Sequence, residues 1–419
     1  MLLINATTRR LEQFSNERTL PPYAILSHTW GDAEVTQQQY LSALASFQSH
    51  KTLTQGSPCF VKIDKSCLQA CADGLAYVWI DACCIDRTSS AELSEAINCM
   101  YRWYQLARVC YVFLEDVEMP ASGVCVRDPL LGPEDSLQEQ LAHARWFTRG
   151  WTLQELLAPR HNHFYDKNWQ CLGTKETLQP VLASITGIDA AYLAGEDLRE
   201  ASVAKRMSWA ARRVTTKVED VAYCLIGIFD VNMPLLYGEG KKAFVRLQEE
   251  IFRETDDLSL FAWQPKGVIV STPPQDLDTV SPKDGISIFA QHPSEFASTA
   301  DLSPYASTGE SNVLSGGKGL KMELPLFNIK GSQPGGLRVA ALCCESSSRR
   351  TVCPGLIVQE LTPGHYMRHP WAGLVQLASC EVEEGDARRM FIRKTMSLVV
   401  PKRACSQVLY EREMAVTWY

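Results

Sequence analysis

Four short stretches of the chain are apolar at nearly every position rather than at alternate ones: Tyr23–Leu26 (YAIL), Ala76–Ile80 (AYVWI), Val109–Leu114 (VCYVFL) and the weaker His163–Tyr165. A strand that is apolar on both of its faces is covered on both, as in a parallel sheet flanked by helices. A helical pattern lies between the second and third runs. Over Ala91–Leu106, Leu93, Ile97, Met100 and Tyr104 recur on one face, and Ser89 with Glu92 has capping-box spacing. This strand–helix alternation predicts an α/β fold with a parallel sheet, whose sites gather past the C-terminal ends of the strands. From about 175 to 255 the pattern turns helical, with candidate helices over Ser202–Arg213, Val218–Phe229 and Lys241–Thr255. The third of these carries Phe244, Leu247 and Ile251 on one face, and Asn232–Gly240 reads as a loop.

Beyond about 265 the pattern changes again. Short apolar runs are separated by Gly, Pro and Ser: Val268–Val270, Ile286–Ala290, Leu320–Phe327, Leu337–Cys343, Gly355–Val358, Leu374–Leu377, Met390–Ile392 and Leu398–Val400, with Ser303–Lys318 as a Ser/Gly-rich loop. That spacing predicts a mostly antiparallel β domain. The predicted division is an α/β domain over 1–175, a helical extension over 176–262 and a β-rich domain over 263–419. A chain of 419 residues is expected to divide in this way.

Composition narrows the function. Hydrophobic residues make up 46% and charged residues 21%, enough for a full core. The net charge of −7 is not the basic footprint of a nucleic-acid binder, so no nucleic-acid partner is expected. The 15 cysteines are scattered, without C-x-x-C or zinc-finger spacing, and read as reduced thiols. The first residues lack the basic-then-apolar order of a signal peptide, and no run approaches the roughly 20 residues of a membrane span. A cytoplasmic location is therefore expected.

Three motifs carry candidate chemistry. In YAILSHTWGD (Tyr23–Asp32) a strand runs into Ser27, His28 and Trp30, placing two hydrogen-bonding groups and a stacking ring at a sheet edge. In YVWIDACCID (Tyr77–Asp86) Asp81 falls at a strand end, where a carboxylate holds a ribose hydroxyl or caps a loop. Cys83 and Cys84 read as buried thiols, since no basic group adjoins them in sequence. In RWFTRGWTLQELLAP (Arg145–Pro159) Thr148 has the position of an N-cap and Pro159 ends the helix, with Trp151 and Glu155 one turn apart. Glu155 reads equally as a catalytic or ribose-binding carboxylate, raised by Trp151 and lowered by Arg149, or as a structural acid paired with an arginine. His161, His163 and Asp166 read as exposed polar residues rather than as metal ligands.

These three blocks, in this order, resemble the signature blocks of the fungal HET (heterokaryon incompatibility) domain. The resemblance continues through SVAKRMSWA (Ser202–Ala210) and the long block Lys217–Ile251, which is similar to the helical segment that follows such domains. It implies an incompatibility-type cell-death effector that self-associates or meets another incompatibility protein. HET proteins often carry NTPase and repeat modules, whereas no G-x-x-x-x-G-K-[ST] occurs here. The HET domain is in turn similar to TIR domains, which implies a TIR-like sheet and NAD as substrate, with no cofactor required. By that analogy Glu155 is the catalytic carboxylate. Ser27 and Asp81 hold ribose hydroxyls, His28 bonds the ligand, Trp30 or Trp151 stacks the nicotinamide, and Arg149 meets the pyrophosphate. Two other classes stay open: a non-catalytic interaction module, and a HET-like scaffold acting on a small hydrophobic metabolite.

Overall fold

A computed structural model describes residues 1–31, 34–50, 58–119, 137–264 and 287–304, with separate short runs from 313 to 418. The chain divides into two compact units. One comprises Met1–Asp197 with Arg213–Leu236, the other Leu198–Arg212 with Tyr237–Tyr419, so the helical zone is shared between them.

The first unit is built on a seven-stranded sheet, ordered β2-β1-β4-β3-β5-β6-β7. Its strands are β1 (Leu2–Asn5), β2 (Leu11–Gln13), β3 (Tyr23–His28), β4 (Tyr77–Trp79), β5 (Val109–Phe113), β6 (Asn162–Tyr165) and β7 (Cys171–Thr174). The central four, β4-β3-β5-β6, are parallel, and antiparallel strands close both edges. Every residue of β3 and β5 is buried, as their unbroken apolar runs predict. The chain leaves β3 for β4 on one side and returns to β5 on the other, so connections diverge between the C-terminal ends of β3 and β5. That crevice is where open α/β sheets place their ligands.

The helices of this unit are α1 (Gln37–His50), α2 (Pro58–Ala72), α3 (Asp81–Cys84), α4 (Ser90–Leu106), α5 (Leu137–His143) and α6 (Thr152–Leu157), followed by Gln179–Thr186, Ala190–Leu193, Asp220–Tyr223 and Ile226–Phe229. Ser89 caps α4 by accepting from Glu92 N, as its spacing suggested. Ile97, Met100, Trp103 and Tyr104 turn inward, while Leu93 is only half-buried. Trp79 of β4 meets Trp103 and Tyr104 edge-on, with ring centroids 5.7 and 5.8 Å apart. The Tyr23 hydroxyl donates to Trp103 O at 2.6 Å, tying α4 to the start of β3.

Several expectations are corrected here. Apolar pattern alone missed β1, β2 and β7, which are edge or near-edge strands of three or four residues, and it missed α1 and α2. The segment read as one helix over Val218–Phe229 is two short helices, ended by Asp230 in the left-handed region at φ 55°. Thr148 is not the cap of α6: it ends a 3-10 turn over Arg145–Thr148, and α6 starts at Thr152 after Gly150. A Cβ on Gly150 would lie 2.5 Å from Thr215 Cγ2, so a side chain there would force a shift.

In the second unit, helix Lys242–Glu254 buries Phe244, Leu247, Ile251 and Phe252. Phe252 and Phe289 both pack on Phe261, at centroid distances of 5.5 and 5.8 Å. The buried Gln248 amide exchanges two hydrogen bonds with Ala290, donating to its O at 2.8 Å and accepting from its N at 2.9 Å. Phe289–Ala290 is therefore irregular backbone held by side chains, not the strand expected over Ile286–Ala290. A nine-stranded sheet follows among the described residues. Its core is Val352–Thr362, paired antiparallel with Leu337–Ala341, His365–Arg368 and Val375–Ser379. Only His365–Arg368 with Val416–Trp418 is a parallel pair in this sheet, so the mostly antiparallel expectation holds. Buried Arg368 stacks 3.7 Å over the Trp263 ring and donates to Phe261 O and Trp263 O. The strands expected at Val268–Val270 and Met390–Ile392, and most of the Ser303–Lys318 loop, lie outside the described residues.

Candidate functional site

The last residues of β3 carry the first motif into the crevice. Ser27 and His28 lie inside the strand and are buried, while Trp30, just past it, is 37% exposed. Ser27 is the hub of a buried chain: its Oγ accepts from Trp146 Nε1 at 2.8 Å and donates to Glu155 Oε2. The structure thus joins the first and third motifs through a Ser27–Glu155 bond, 128 residues apart in sequence. Trp146 was not singled out from the sequence, though it sits in the same RWFTRGW block, and Tyr104 was read only as part of the apolar face of α4.

Glu155 is held from all sides. Its backbone carbonyl accepts from Asn162 Nδ2 at 2.9 Å, anchoring α6 to β6. The buried Lys175 ammonium donates to Leu156 O at 3.2 Å and to Pro159 O, at the end of α6 where a cation is favoured. Arg213 meets the other end, donating to Arg149 O at 2.8 Å and Thr152 Oγ1 at 2.9 Å. Only 7% of Glu155 is exposed. Burial pushes its carboxyl up to about 8, and Asp81 adds to that, while Ser27, Tyr104 and Arg213 pull it back. The Tyr104 hydroxyl donates to Leu26 O at 3.1 Å.

The arginine that lowers Glu155 is therefore Arg213, not Arg149, and the indole wired to it is Trp146, not Trp151. Arg149 Nη2 donates to Thr216 Oγ1 at 2.9 Å, and Trp151 Nε1 donates to Asp220 Oδ2 at 3.1 Å. The i, i+4 spacing of Trp151 and Glu155 put them on one helix, but Trp151 stands at its N-cap and spends its donor on the Asp220–Tyr223 helix.

An exposed layer adjoins the buried one. Trp30 Nε1 donates to Asp81 Oδ2 at 2.9 Å, uniting the first and second motifs. The Arg87 guanidinium lies 3.9 Å over the Trp30 ring and 3.7 Å from Asp81 Oδ2. Arg145 Nη2 donates to Trp30 O at 3.1 Å and pairs with Glu115 at 2.6 Å. His28 serves this loop from beneath. Its Nε2 lies 3.2 Å from Glu34 Oε1, and Lys62 Nζ lies 2.8 Å from Glu34 Oε2. Burial opposes the Glu34 charge, but His28 and Lys62 hold its carboxyl down at about 2.

The remaining candidates are structural. Burial pushes the Cys84 thiol up to about 12 and that of Cys83 well above the ordinary value, so neither is a ready thiolate. Asp166 accepts from Asn168 N, Gln170 N and Met119 N and organises a turn. Among the described residues no group of three or more His, Cys, Asp or Glu is placed to hold a metal ion, and no helix is long and apolar enough to cross a membrane.

The fold and site define a class: an α/β sheet unit with a buried carboxyl at its topological switch point. Comparison with known proteins places that unit. Residues 23–130 match the family model described as "Heterokaryon incompatibility protein (HET)", and residues 242–314 match a domain of unknown function, DUF8212. The chain is 43% identical over 243 residues to "Vegetative incompatibility protein HET-E-1" of Podospora anserina, covering 56% of this chain and 16% of that protein. The matched residues 23–130 lie within the α/β unit, which is accordingly similar to a HET domain. The chain spans about a sixth of the length of this curated relative. No solved structure matches this chain.

Proposed function

We propose that this chain is an incompatibility-type cell-death effector whose HET unit cleaves the nicotinamide–ribose bond of NAD, with Glu155 as the catalytic carboxylate. One observation carries the chemistry: a buried carboxyl, bonded to Ser27, at the switch point of the sheet and beside a half-exposed Trp30–Asp81 pair. In this reading the nicotinamide ring lies along Trp30 and a ribose hydroxyl bonds to Asp81. The C–N bonding pair leaves with nicotinamide, and the positive charge left on the ribose is stabilised by the Glu155 carboxylate. Water then adds to the ribose carbon and releases a proton. With its carboxyl at about 8, ionising Glu155 at pH 7 costs about 1.4 kcal/mol, which an approaching pyridinium offsets.

The burial of Glu155 favours a second reading, in which the Trp146–Ser27–Glu155 chain only pins α6 against β3 and the unit is an interaction module without catalysis. Incubating the full chain with NAD and following free nicotinamide by chromatography separates the two. Release by the parent, lost in Glu155→Gln, supports the first. No release at high protein concentration supports the second.

A further inference from the structure

The site holds four arginines, and three have committed guanidinium donors to the protein. Arg145 pairs with Glu115 at 2.6 Å, Arg149 donates to Thr216, and Arg213 donates to Arg149 O and Thr152 Oγ1. Arg87 differs. Its contact to Asp81, at 3.7 Å, is longer than a hydrogen bond, and its side chain is 40% exposed. Among the described residues it alone of these four offers the whole guanidinium fork to a ligand. It is nevertheless fixed in place: stacking 3.9 Å over Trp30 and attraction to Asp81 hold it, and Asp86 Oδ1 braces the turn it leaves by accepting from Thr88 N at 2.8 Å and Thr88 Oγ1 at 2.6 Å. A planar, pre-positioned fork beside an indole suits a phosphate attached to a flat ring.

We propose that Arg87 is the anion-binding residue of this site and that its ligand is a nucleotide, with a phosphate on the guanidinium and an aromatic ring along Trp30. This rests on the nucleotide reading of the site but not on cleavage. It also moves the pyrophosphate contact from Arg149, where the resemblance suggested it, to the residue that directly follows the second motif.

The test is calorimetric titration of the full chain with ADP-ribose, which has no nicotinamide bond to cleave, with inorganic pyrophosphate as competitor. Binding is expected to weaken tenfold or more in Arg87→Gln and to recover in part in Arg87→Lys, which keeps the charge but not the fork. Its dependence on salt is expected to flatten in Arg87→Gln. The control Arg102→Gln removes the same charge from a surface pair with Glu17 and is expected to bind as the parent does. Equal affinity of the parent and Arg87→Gln overturns the proposal, as does an equal loss in Arg102→Gln, a loss confined to Arg149→Gln, or no binding by the parent. If ADP-ribose binds through Arg87 but NAD is not cleaved, the inference stands and the glycohydrolase reading falls. If NAD is cleaved while Arg87→Gln binds ADP-ribose normally, the reading stands and the inference falls.

Discussion

Replacing Glu155 by Gln tests the electrostatics of the site apart from any activity. The carboxyl lies at about 8 in the folded chain against an ordinary value of 4.5. Because the folded value is raised, the neutral form stabilises the fold. That stability is fully present below pH 4.5 and is lost as the pH climbs toward 8. The difference of 3.5 units, at about 1.4 kcal/mol each, amounts to roughly 5 kcal/mol across the window, with about 2 to 3 kcal/mol of it falling between pH 6 and 8. Gln has nearly the shape of the protonated acid and does not titrate. Near pH 5 Glu155→Gln is therefore expected to match the parent, and by pH 8 to be more stable by several kcal/mol. Lys175, lowered to about 8 by burial, also changes stability above that pH, but it does so in both proteins and cancels from the difference. The assay is amide hydrogen exchange of β3 and β5 peptides in graded urea at pH 5, 6, 7 and 8, which reports the α/β unit by itself. A parent–variant difference that stays flat with pH refutes the argument and means that Glu155 is ionised throughout.

Ser27→Ala removes the acceptor of Trp146 and the donor to Glu155, leaving buried polar groups unpaired, and is expected to cost about 2 to 4 kcal/mol in urea unfolding of the same peptides. Glu34→Gln removes the carboxylate that faces buried His28 and Lys62. Since the Glu34 carboxyl is held down at about 2, its contribution is present above pH 4.5 and lost as the pH falls toward 2. The variant is expected to melt lower at pH 7, and the gap to narrow in acid by differential scanning fluorimetry. Gly227→Ala would set a Cβ 2.1 Å from Tyr101 Cβ and is expected to destabilise by at least about 1 to 3 kcal/mol, read by the loss of protection in α4. Phe244→Ala empties a fully buried position in the second unit and is expected to cost about 3 to 5 kcal/mol there, leaving exchange in β3 unchanged.

Residue order alone determined the strands that form the centre of the sheet. Tyr23–Leu26 and Val109–Leu114 are apolar at every position, and only burial on both faces accounts for that; α4 and the mostly antiparallel second unit were legible from period and spacing in the same way. The three motifs likewise named Ser27, Trp30, Asp81 and Glu155, which lie at the switch point. What the sequence could not decide was who meets whom. Strand and helix periods fix which face a side chain takes, not which distant group faces it, so local spacing paired Glu155 with Trp151 and Arg149. The crossing of α6 over β3 instead brought Ser27, Trp146, Tyr104 and Arg213 around that carboxyl. Its shift to about 8 comes chiefly from burial, a property of the packed layers rather than of any neighbour in the chain. Arg87 shows the same division. It was not singled out from the sequence, and its position over Trp30 and beside Asp81 followed only from the folded chain.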